Sequence, residues 1–280
     1  MNTLPLQTLE RTPALFLAME ANFAEEMNSF GRGLSGGEVH DDGELTWFYT
    51  GRPYLNGVTR THLVDRDEAY VNQKIAHIIR YYTTRTTSFA WGINPQTQPA
   101  NMNVLLEAHG FQRLLDHTLM ALDTRHINES FSSPPDLTIT EVVDADELRV
   151  FMDVSRRGFD STAEQTQNYY ENYLAHGFGP EKQQRFYIGR LASTPVACAS
   201  LLLHAGVAGI YGVATLPEAR RQGIAASMTV HALQEARAFG YYVAILAPSE
   251  MGMSMYKRIG FEEYSHSTIY SFLYEHGQNT

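Results

Sequence analysis

The stretch that decides the fold runs from Val213 to Ala225 and reads VATLPEARRQGIA. The residues IYGVAT at its start have the apolar and β-branched composition of a strand, and IAASMTVHALQEARAF at its end is typical of a helix. The junction therefore predicts a strand, a short loop, and a helix that begins after Gly223. The first turn of such a helix presents unpaired amides and the positive end of the helix dipole, so it is suited to an anion.

Two further features of this loop favour a phosphate ligand. Gly223 lacks the side chain that would hold a phosphate away from the amides. Arg220 and Arg221 add positive charge beside it. These arginines stand in an acidic chain, in which 21 Lys and Arg against 31 Asp and Glu give a formal net charge of -10. The loop therefore predicts a diphosphate as its ligand.

The loop in its context resembles the acetyl-coenzyme A signature of the GNAT (Gcn5-related) N-acetyltransferases. That signature is a strand followed by Arg/Gln-x-x-Gly-x-Gly/Ala at a helix start, and Arg220, Gly223 and Ala225 fill it here. Downstream, the run SMYKRIGF resembles the family's Tyr-x-x-x-Gly-Phe segment, with Tyr256 as its tyrosine. Together the two motifs predict an acetyl-CoA-binding GNAT domain over most of residues 138–274.

The resemblance implies a role for each matching residue. The strand end at Val213, Ala214 and Thr215 would pair with the pantetheine arm, and the backbone amide of Val213 would polarise the thioester carbonyl as an oxyanion donor. Tyr256 would protonate the leaving thiolate as general acid. At the position of Ser249 the family often has an Asn that bonds to the pantetheine arm. The resemblance therefore assigns Ser249 to that arm as well. The pyrophosphate would lie on the loop and first helical turn, at Arg220, Arg221, Gln222, Gly223, Ile224, Ala225 and Ala226.

The implied function is transfer of an acetyl group from acetyl-CoA to the amine of a small molecule or peptide. A positioned neutral amine can attack an activated thioester directly, so no protein nucleophile is required. The candidates for a general base are Tyr211, Glu171, Glu250 and His204, and the sequence does not rank them. The alternatives are a non-catalytic acyl-CoA-binding or regulatory protein, and a tandem α/β protein that binds no CoA.

Two pairs of repeated strings indicate an internal duplication. FYTGR at 48–52 recurs as FYIGR at 186–190, an offset of 138 residues, and GF at 110–111 recurs at 260–261, an offset of 150. The change in offset predicts about twelve more residues between these landmarks in the second copy. The predicted fold class is α/β (α+β), with two tandem GNAT-like domains, each a mixed, mostly antiparallel sheet flanked by helices.

Composition sets the expected domain boundaries. The polar run DTRHINESFSSPPDL at 123–137 is typical of a linker. The predicted division is a degenerate GNAT-like domain at 1–127, a linker at 128–137 and the cofactor-binding domain at 138–280.

The first copy lacks the residues that a cofactor site needs. Alignment on the repeated Gly-Phe places Leu106 opposite Tyr256, and no glycine occurs between Arg66 and Trp91. The run GRGLSG at 31–36 satisfies G-x-G-x-x-G, but a helix-like stretch precedes it where a dinucleotide site needs a strand. The GRGLSG run therefore predicts a mobile loop and not a dinucleotide site.

Other classes of function are excluded by composition. Cys198 is the only cysteine, and the eleven histidines show no H-x-x-x-H or H-E-x-x-H spacing, so no metal site is expected. The acidic balance speaks against nucleic acid. No run reaches the ~18 apolar residues of a membrane span, and the start has no signal-peptide pattern, so a cytoplasmic protein is expected. The sequence leaves the oligomeric state open.

Overall fold

A computed structural model of the protein describes residues 4–130, 133–179 and 181–274. The chain divides into two compact units. The large unit comprises Met1–Asn22 and Leu119–Tyr264, and the small unit comprises Phe23–Thr118 and Ser265–Thr280. Both units are therefore built from two segments of chain, a feature that a single linker does not reveal. The predicted assignment of separate functions to 1–127 and 138–280 stays a prediction.

The described residues form seven α-helices and eleven strands. In chain order the helices are α1 (Pro13–Gly33), α2 (Glu68–Thr83), α3 (Met102–Ala108), α4 (Ala145–Phe159), α5 (Ala163–His176), α6 (Ile224–Ala238) and α7 (Met253–Ile259). The strands are β1 (Glu38–Asp41), β2 (Leu45–Tyr49), β3 (Gly57–Thr61), β4 (Phe89–Ile93), β5 (Gln112–Asp123), β6 (Leu137–Glu141), β7 (Gln184–Leu191), β8 (Thr194–His204), β9 (Val207–Thr215), β10 (Val243–Leu246) and β11 (Glu262–Phe272).

The large unit is a sheet with the strand order β5-β10-β9-β8-β7-β6. All its neighbours are antiparallel except β9 and β10, which are parallel and joined through α6. Successive side chains of a strand point to opposite faces. Accordingly, Tyr187 packs in one core with Met228 of α6, while its neighbour Phe186 packs in another with Phe151 of α4. The sheet is thus buried on both faces.

The small unit has the strand order β1-β2-β3-β4-β11. Its parallel pair is β3 and β4, which are joined through α2. The core is aromatic: Tyr82 stacks on Phe89 with ring centroids 4.2 Å apart, and Trp91 is fully buried. The Tyr82 hydroxyl donates to the carbonyl oxygen of Phe48 at 2.7 Å. Both units therefore consist of a mixed, mostly antiparallel sheet with flanking helices, and the predicted fold class is confirmed.

The duplication is present, but only one of the two pairs of repeated strings relates equivalent positions in the two units. The offset of 150 that relates the two Gly-Phe pairs also relates Gly57 to Val207, the first residues of β3 and β9. FYTGR begins in β2, one strand before β3, whereas FYIGR lies in β7, two strands before β9. The strings therefore occupy non-equivalent strands, and the expected twelve extra residues between the landmarks are a product of that mismatch. Gly51 turns the chain at φ 73°, while Gly189 lies within a strand.

The G-x-G-x-x-G run at 31–36 does not begin as the predicted mobile loop. Its first three residues form the end of α1. A Cβ on Gly31 would lie 2.5 Å from the carbonyl oxygen of Glu38, so this glycine allows a close backbone approach within the small unit. None of the described helices combines the length and the apolar character that crossing a membrane requires.

Candidate active site

The candidate site begins where β9 and β10 separate. The two parallel strands pair at Ala208 with Ala244 and at Gly209 with Ile245, and the register between them ends there. β9 continues to Thr215 and is paired only with β8 over this length. The described strands thus leave an opening beside the second half of β9, and this opening leads to the loop that follows.

A bulge alters β9 at the same place. Tyr211 is opposite Ser200 of β8, and Ala214 is opposite Cys198, so β9 carries one extra residue between these pairs. Gly212 lies in the bulge with φ 60°, a backbone conformation that favours glycine. A bulge redirects the backbone groups around it. Val213, the predicted oxyanion donor, follows Gly212 directly.

The loop between β9 and α6 is compact. Pro217–Ala219 form one turn of 3-10 helix, and the Leu216 amide donates to the Val196 carbonyl at 2.9 Å. Arg221 and Gly223 both have positive φ, at 63° and 82°. These left-handed residues turn the chain sharply into the helix, which begins at Ile224.

The two arginines of the loop have different environments. The Arg220 side chain turns into the protein, where Nε donates to the Thr215 carbonyl at 3.1 Å and Nη2 donates to the Gly158 carbonyl at 3.2 Å. Arg220 therefore ties the loop to the end of α4. Arg221 is exposed. Of the two, Arg221 is the one placed to meet a ligand from solvent.

The equivalent helices of the two units begin differently. α6 starts after Gly223, and no side chain caps it. α2 starts after Asp67, whose carboxylate accepts a hydrogen bond from the Tyr70 amide at 2.8 Å. The helix start that would hold a phosphate in the small unit is thus occupied by its own carboxylate, which would also repel an anion.

Tyr256 lies on α7 and is 8% exposed. Burial raises the pKa of its hydroxyl to about 12, and the nearby Thr229 lowers that pKa by less. Thr229 in turn donates to the Ala225 carbonyl at 2.9 Å. The ring packs edge to face on Phe261, with centroids 5.9 Å apart. Tyr256 is therefore held protonated and fixed against α6. Thr229 belongs to no recognisable motif, so the sequence did not indicate it.

Ser249 takes part in the turn that begins α7. Its hydroxyl accepts from the Gly252 amide at 3.3 Å, and its carbonyl oxygen accepts from the amides of Gly252 and Met253. Its side chain is exposed. The structure thus places Ser249 in a role that shapes the loop, and its predicted contact with the pantetheine arm stays a prediction.

The candidates for a general base are spread over the large unit. Glu250 is exposed in the loop before α7, and Glu171 of α5 accepts a hydrogen bond from Gln167 at 2.9 Å. His204 lies at the end of β8 in the β8–β9 turn. Of the four, only Tyr211 lies on β9, just past the point at which the pairing of β9 with β10 ends.

Side chains of the kinds that bind metal ions do not cluster in the part of the chain that the structure describes. Within residues 4–130, 133–179 and 181–274, no group of three or more His, Cys, Asp or Glu side chains could hold a metal ion. Cys198 is buried, and burial raises the pKa of its thiol to about 12.

Comparison with known proteins gives a consistent result. Residues 139–264 match the family described as Acetyltransferase (GNAT) domain. A GCN5-related N-acetyltransferase from Kribbella flavida is similar in structure, with a TM-score of 0.71, 21% identity, and coverage of 92% of this chain and 95% of its own. A second N-acetyltransferase of this kind, from Sphaerobacter thermophilus, has a TM-score of 0.64, 17% identity, and 99% coverage of both chains.

A tandem GNAT protein from the clavulanic acid biosynthesis pathway is also similar, with a TM-score of 0.64, 13% identity, and coverage of 98% of this chain and 99% of its own. Comparison with curated protein sequences gives no match. The fold class is an α/β protein of two GNAT-like units. Residues 139–264 thus match a GNAT acetyltransferase domain, and the chain as a whole has a tandem-GNAT-like fold.

Proposed function

We propose that the large unit transfers an acetyl group from acetyl-CoA to the amine of a small molecule or peptide. The observation that carries this proposal is the open start of α6 at Gly223, which follows, after a short loop, the half of β9 that pairs with β8 but not with β10. The match of residues 139–264 to the GNAT acetyltransferase domain supports acetyl transfer in general.

The residues present suit a diphosphate-containing cofactor. The first amides of a helix have no partner within the helix, and here no capping side chain occupies them. The Thr215 hydroxyl at the end of β9 is buried and has no hydrogen-bond partner among the described residues. A buried polar group of this kind costs free energy unless a ligand or water satisfies it. Arg221 adds an exposed positive charge next to the helix start.

Acetyl-CoA, when bound, supplies an activated thioester. The amides at Gly223, Ile224 and Ala225 would hold its pyrophosphate. The edge of β9 at Val213 would hold the pantetheine arm, and the Val213 amide would donate to the carbonyl oxygen as negative charge develops on it. These groups are fixed by the bulge and the helix, so they need no reorganisation during the reaction.

Tyr256 would act on the leaving sulfur as a hydrogen-bond donor. Its pKa is about 12, whereas an ordinary thiol has a pKa of roughly 8.5, so complete loss of its proton to the thiolate is unfavourable. The amine nitrogen forms the new C–N bond as the C–S bond breaks, and the amine gives up one proton. We infer that Tyr256 stabilises the thiolate and passes this proton to it, without remaining deprotonated.

The test for cofactor binding compares Gly223→Asp with Gly223→Asn. Both side chains have the same size, and both tolerate a left-handed backbone better than most residues. Only aspartate places a carboxylate at the start of α6, as Asp67 does in α2. We expect the acetyl-CoA Kd of the aspartate variant to exceed that of the asparagine variant about tenfold, from a helix-terminus effect of up to about 2 kcal/mol. Equal Kd values would contradict the placement of the phosphates.

The test for chemistry measures free thiol and acetylated product with a panel of amines and acetyl-CoA. Transfer by the wild type, with saturation in both substrates, supports the proposed enzyme. Tight acetyl-CoA binding without transfer to any amine would instead indicate an acyl-CoA-binding regulatory protein. No binding at all would contradict both functions.

A further inference from the structure

Asn22 is a fully buried polar residue of the large unit. It lies on α1 and is 0% exposed. Its Nδ2 donates to the carbonyl oxygens of Leu202, His204 and Val207 at 3.2, 3.0 and 3.1 Å. Its Oδ1 accepts from the hydroxyl of Tyr211 at 2.8 Å. One side chain of α1 is thus bonded to the end of β8, to the first residue of β9 and to a later residue of the same strand.

The orientation of the Asn22 amide is fixed by these partners. A carbonyl oxygen can only accept a hydrogen bond, and the NH2 group of asparagine can only donate. Three carbonyls around Nδ2 therefore exclude the flipped amide, so Oδ1 faces Tyr211. A buried amide that is bonded at both ends cannot turn without leaving a polar group unpaired, which costs free energy. Asn22 is therefore a fixed point for the backbone around it.

Gly209 is the residue at which Asn22 meets the opening in the sheet. It pairs with Ile245, and the register between β9 and β10 ends there. A Cβ on Gly209 would lie 2.2 Å from Oδ1 of Asn22 and 2.4 Å from Cε2 of Tyr211. The Tyr211 ring thus lies back over Gly209 and reaches Asn22 there. The Asn22 amide is therefore packed against the backbone at the point where the two strands part.

The pairing between β9 and β10 is short, and parallel pairs are slightly less stable per residue than antiparallel ones. Asn22 bonds to β9 on both sides of Gly209, at Val207 before it and at Tyr211 after it. Val213, whose amide is the proposed oxyanion donor, is two residues beyond Tyr211. A shift of β9 at Gly209 would therefore displace the part of the strand that faces the opening.

We propose that Asn22 is a positioning residue that sets where β9 leaves β10 and so holds the second half of β9 in place for the cofactor. This rests on the proposed acetyl transfer, in which the edge of β9 at Val213 holds the pantetheine arm. Asn22 acts on that edge through its hydrogen bond with Tyr211. The family match begins at residue 139, so this contribution comes from outside the matched region.

The first test compares Asn22→Ala with Asn28→Ala in the full chain. Asn28 is the matched control, because it is a buried asparagine of the same helix that belongs to the small unit, where its Oδ1 accepts from the Thr59 hydroxyl at 3.1 Å. We expect the acetyl-CoA Kd to rise about tenfold in Asn22→Ala, an effect of the size that residues without ligand contact can produce. In Asn28→Ala it should stay within about twofold of wild type. Thermal unfolding checks that each variant is folded at the temperature of the titration.

Amide hydrogen exchange tests whether the effect is local. The amides of residues 210–215 should exchange faster in Asn22→Ala than in wild type, and no faster in Asn28→Ala. A merely structural role would instead lower the stability of the whole large unit. Exchange that rises equally in α6 and in residues 210–215 would therefore overturn the positioning role.

The second test is a double-mutant cycle with Tyr211→Phe, which removes the hydroxyl and leaves the three carbonyls bonded to Nδ2. Tyr211→Phe should also weaken acetyl-CoA binding, and the double variant should bind no more weakly than Asn22→Ala alone. Additive losses would show that Asn22 does not act through Tyr211. If Asn22→Ala does not fold, Tyr211→Phe decides by itself, and an unchanged Kd in that variant overturns the inference.

The outcomes separate the two proposals. A wild type that binds acetyl-CoA, with an unchanged Kd in folded Asn22→Ala, overturns this inference and leaves the proposed acetyltransferase intact. A wild type that binds no acetyl-CoA overturns the proposed function and this inference with it.

Discussion

Thr229 of α6 donates its hydroxyl proton to the carbonyl of Ala225 at 2.9 Å, and it lies close enough to Tyr256 of α7 to lower the pKa of the tyrosine hydroxyl. The proposed proton donor on α7 is thereby connected to the first turn of α6, where the cofactor phosphates would lie. Under the proposed function, the cofactor phosphates and the proton donor would therefore both lie against α6.

Removal of the Tyr256 hydroxyl should slow the chemical step. For Tyr256→Phe we expect kcat to fall about 10²- to 10³-fold, the loss typical when one donor to a developing negative charge is removed. The acetyl-CoA Kd, measured by titration calorimetry, should change little because the phosphate contacts are intact. Tyr187→Phe provides the control for loss of a buried hydroxyl. An unchanged kcat would remove Tyr256 from the mechanism.

Replacement of the two loop arginines should have different effects. Arg220→Gln loses two hydrogen bonds to main-chain carbonyls, so we expect a loss of about 1–3 kcal/mol in the free energy of unfolding. Arg221→Gln removes an exposed charge and should leave stability within about 0.5 kcal/mol while it weakens acetyl-CoA binding. Denaturant unfolding and calorimetric titration measure the two quantities. The opposite pattern would contradict the roles assigned here.

Gly209→Ala should destabilise the large unit. The added Cβ would lie 2.2 Å from Oδ1 of Asn22, and neither Asn22 nor Tyr211 can move without losing its hydrogen bonds. We expect a loss of about 1–3 kcal/mol, as for other overpacked sites. Gly92→Ala is the matched control, since Gly92 is also a strand glycine and its added Cβ would make only ordinary contacts, at 3.7 and 3.8 Å. Equal unfolding midpoints for the two variants would argue against a crowded site.

Stability should fall on mild acidification because of His231. Burial lowers the pKa of its imidazole below 6.5, with smaller contributions from Glu235, which raises it, and from other nearby charges. The unfolded chain therefore binds more protons between that lowered pKa and 6.5, so unfolding becomes easier as the pH falls through this window. The ring lies edge to face with Tyr187, at 4.9 Å between centroids.

The measurement is the free energy of unfolding at pH 7.5 and pH 5.5, compared between wild type and His231→Gln. The variant should lose less stability on acidification than the wild type. His126→Gln is the control, because the His126 side chain is 81% exposed. An identical pH dependence of wild type and His231→Gln would contradict the prediction.

The junction from Val213 to Gly223 could be read from the sequence because its signals are local. A β-branched run, a glycine and a helical run fix the conformation of neighbouring residues largely by themselves, and the structure has β9, the loop and α6 in that order. The Gly-Phe repeat was equally informative, since the turn after a helix has strong local requirements. FYTGR and FYIGR misled because an aromatic pair with a glycine two residues later occurs both at the end of a strand, as in β2, and inside one, as in β7.

By itself, the sequence determined the fold class and the strand–loop–helix junction, and it predicts that the first copy has no glycine loop for a phosphate. Only the tertiary structure decided that Arg220 turns inward, that Thr229 lies beside Tyr256, and that Asn22 bonds to Tyr211, 189 residues away. The reason is physical. Backbone preferences depend on neighbours in the chain, whereas the partner of a buried polar group is whatever packing brings within hydrogen-bonding distance.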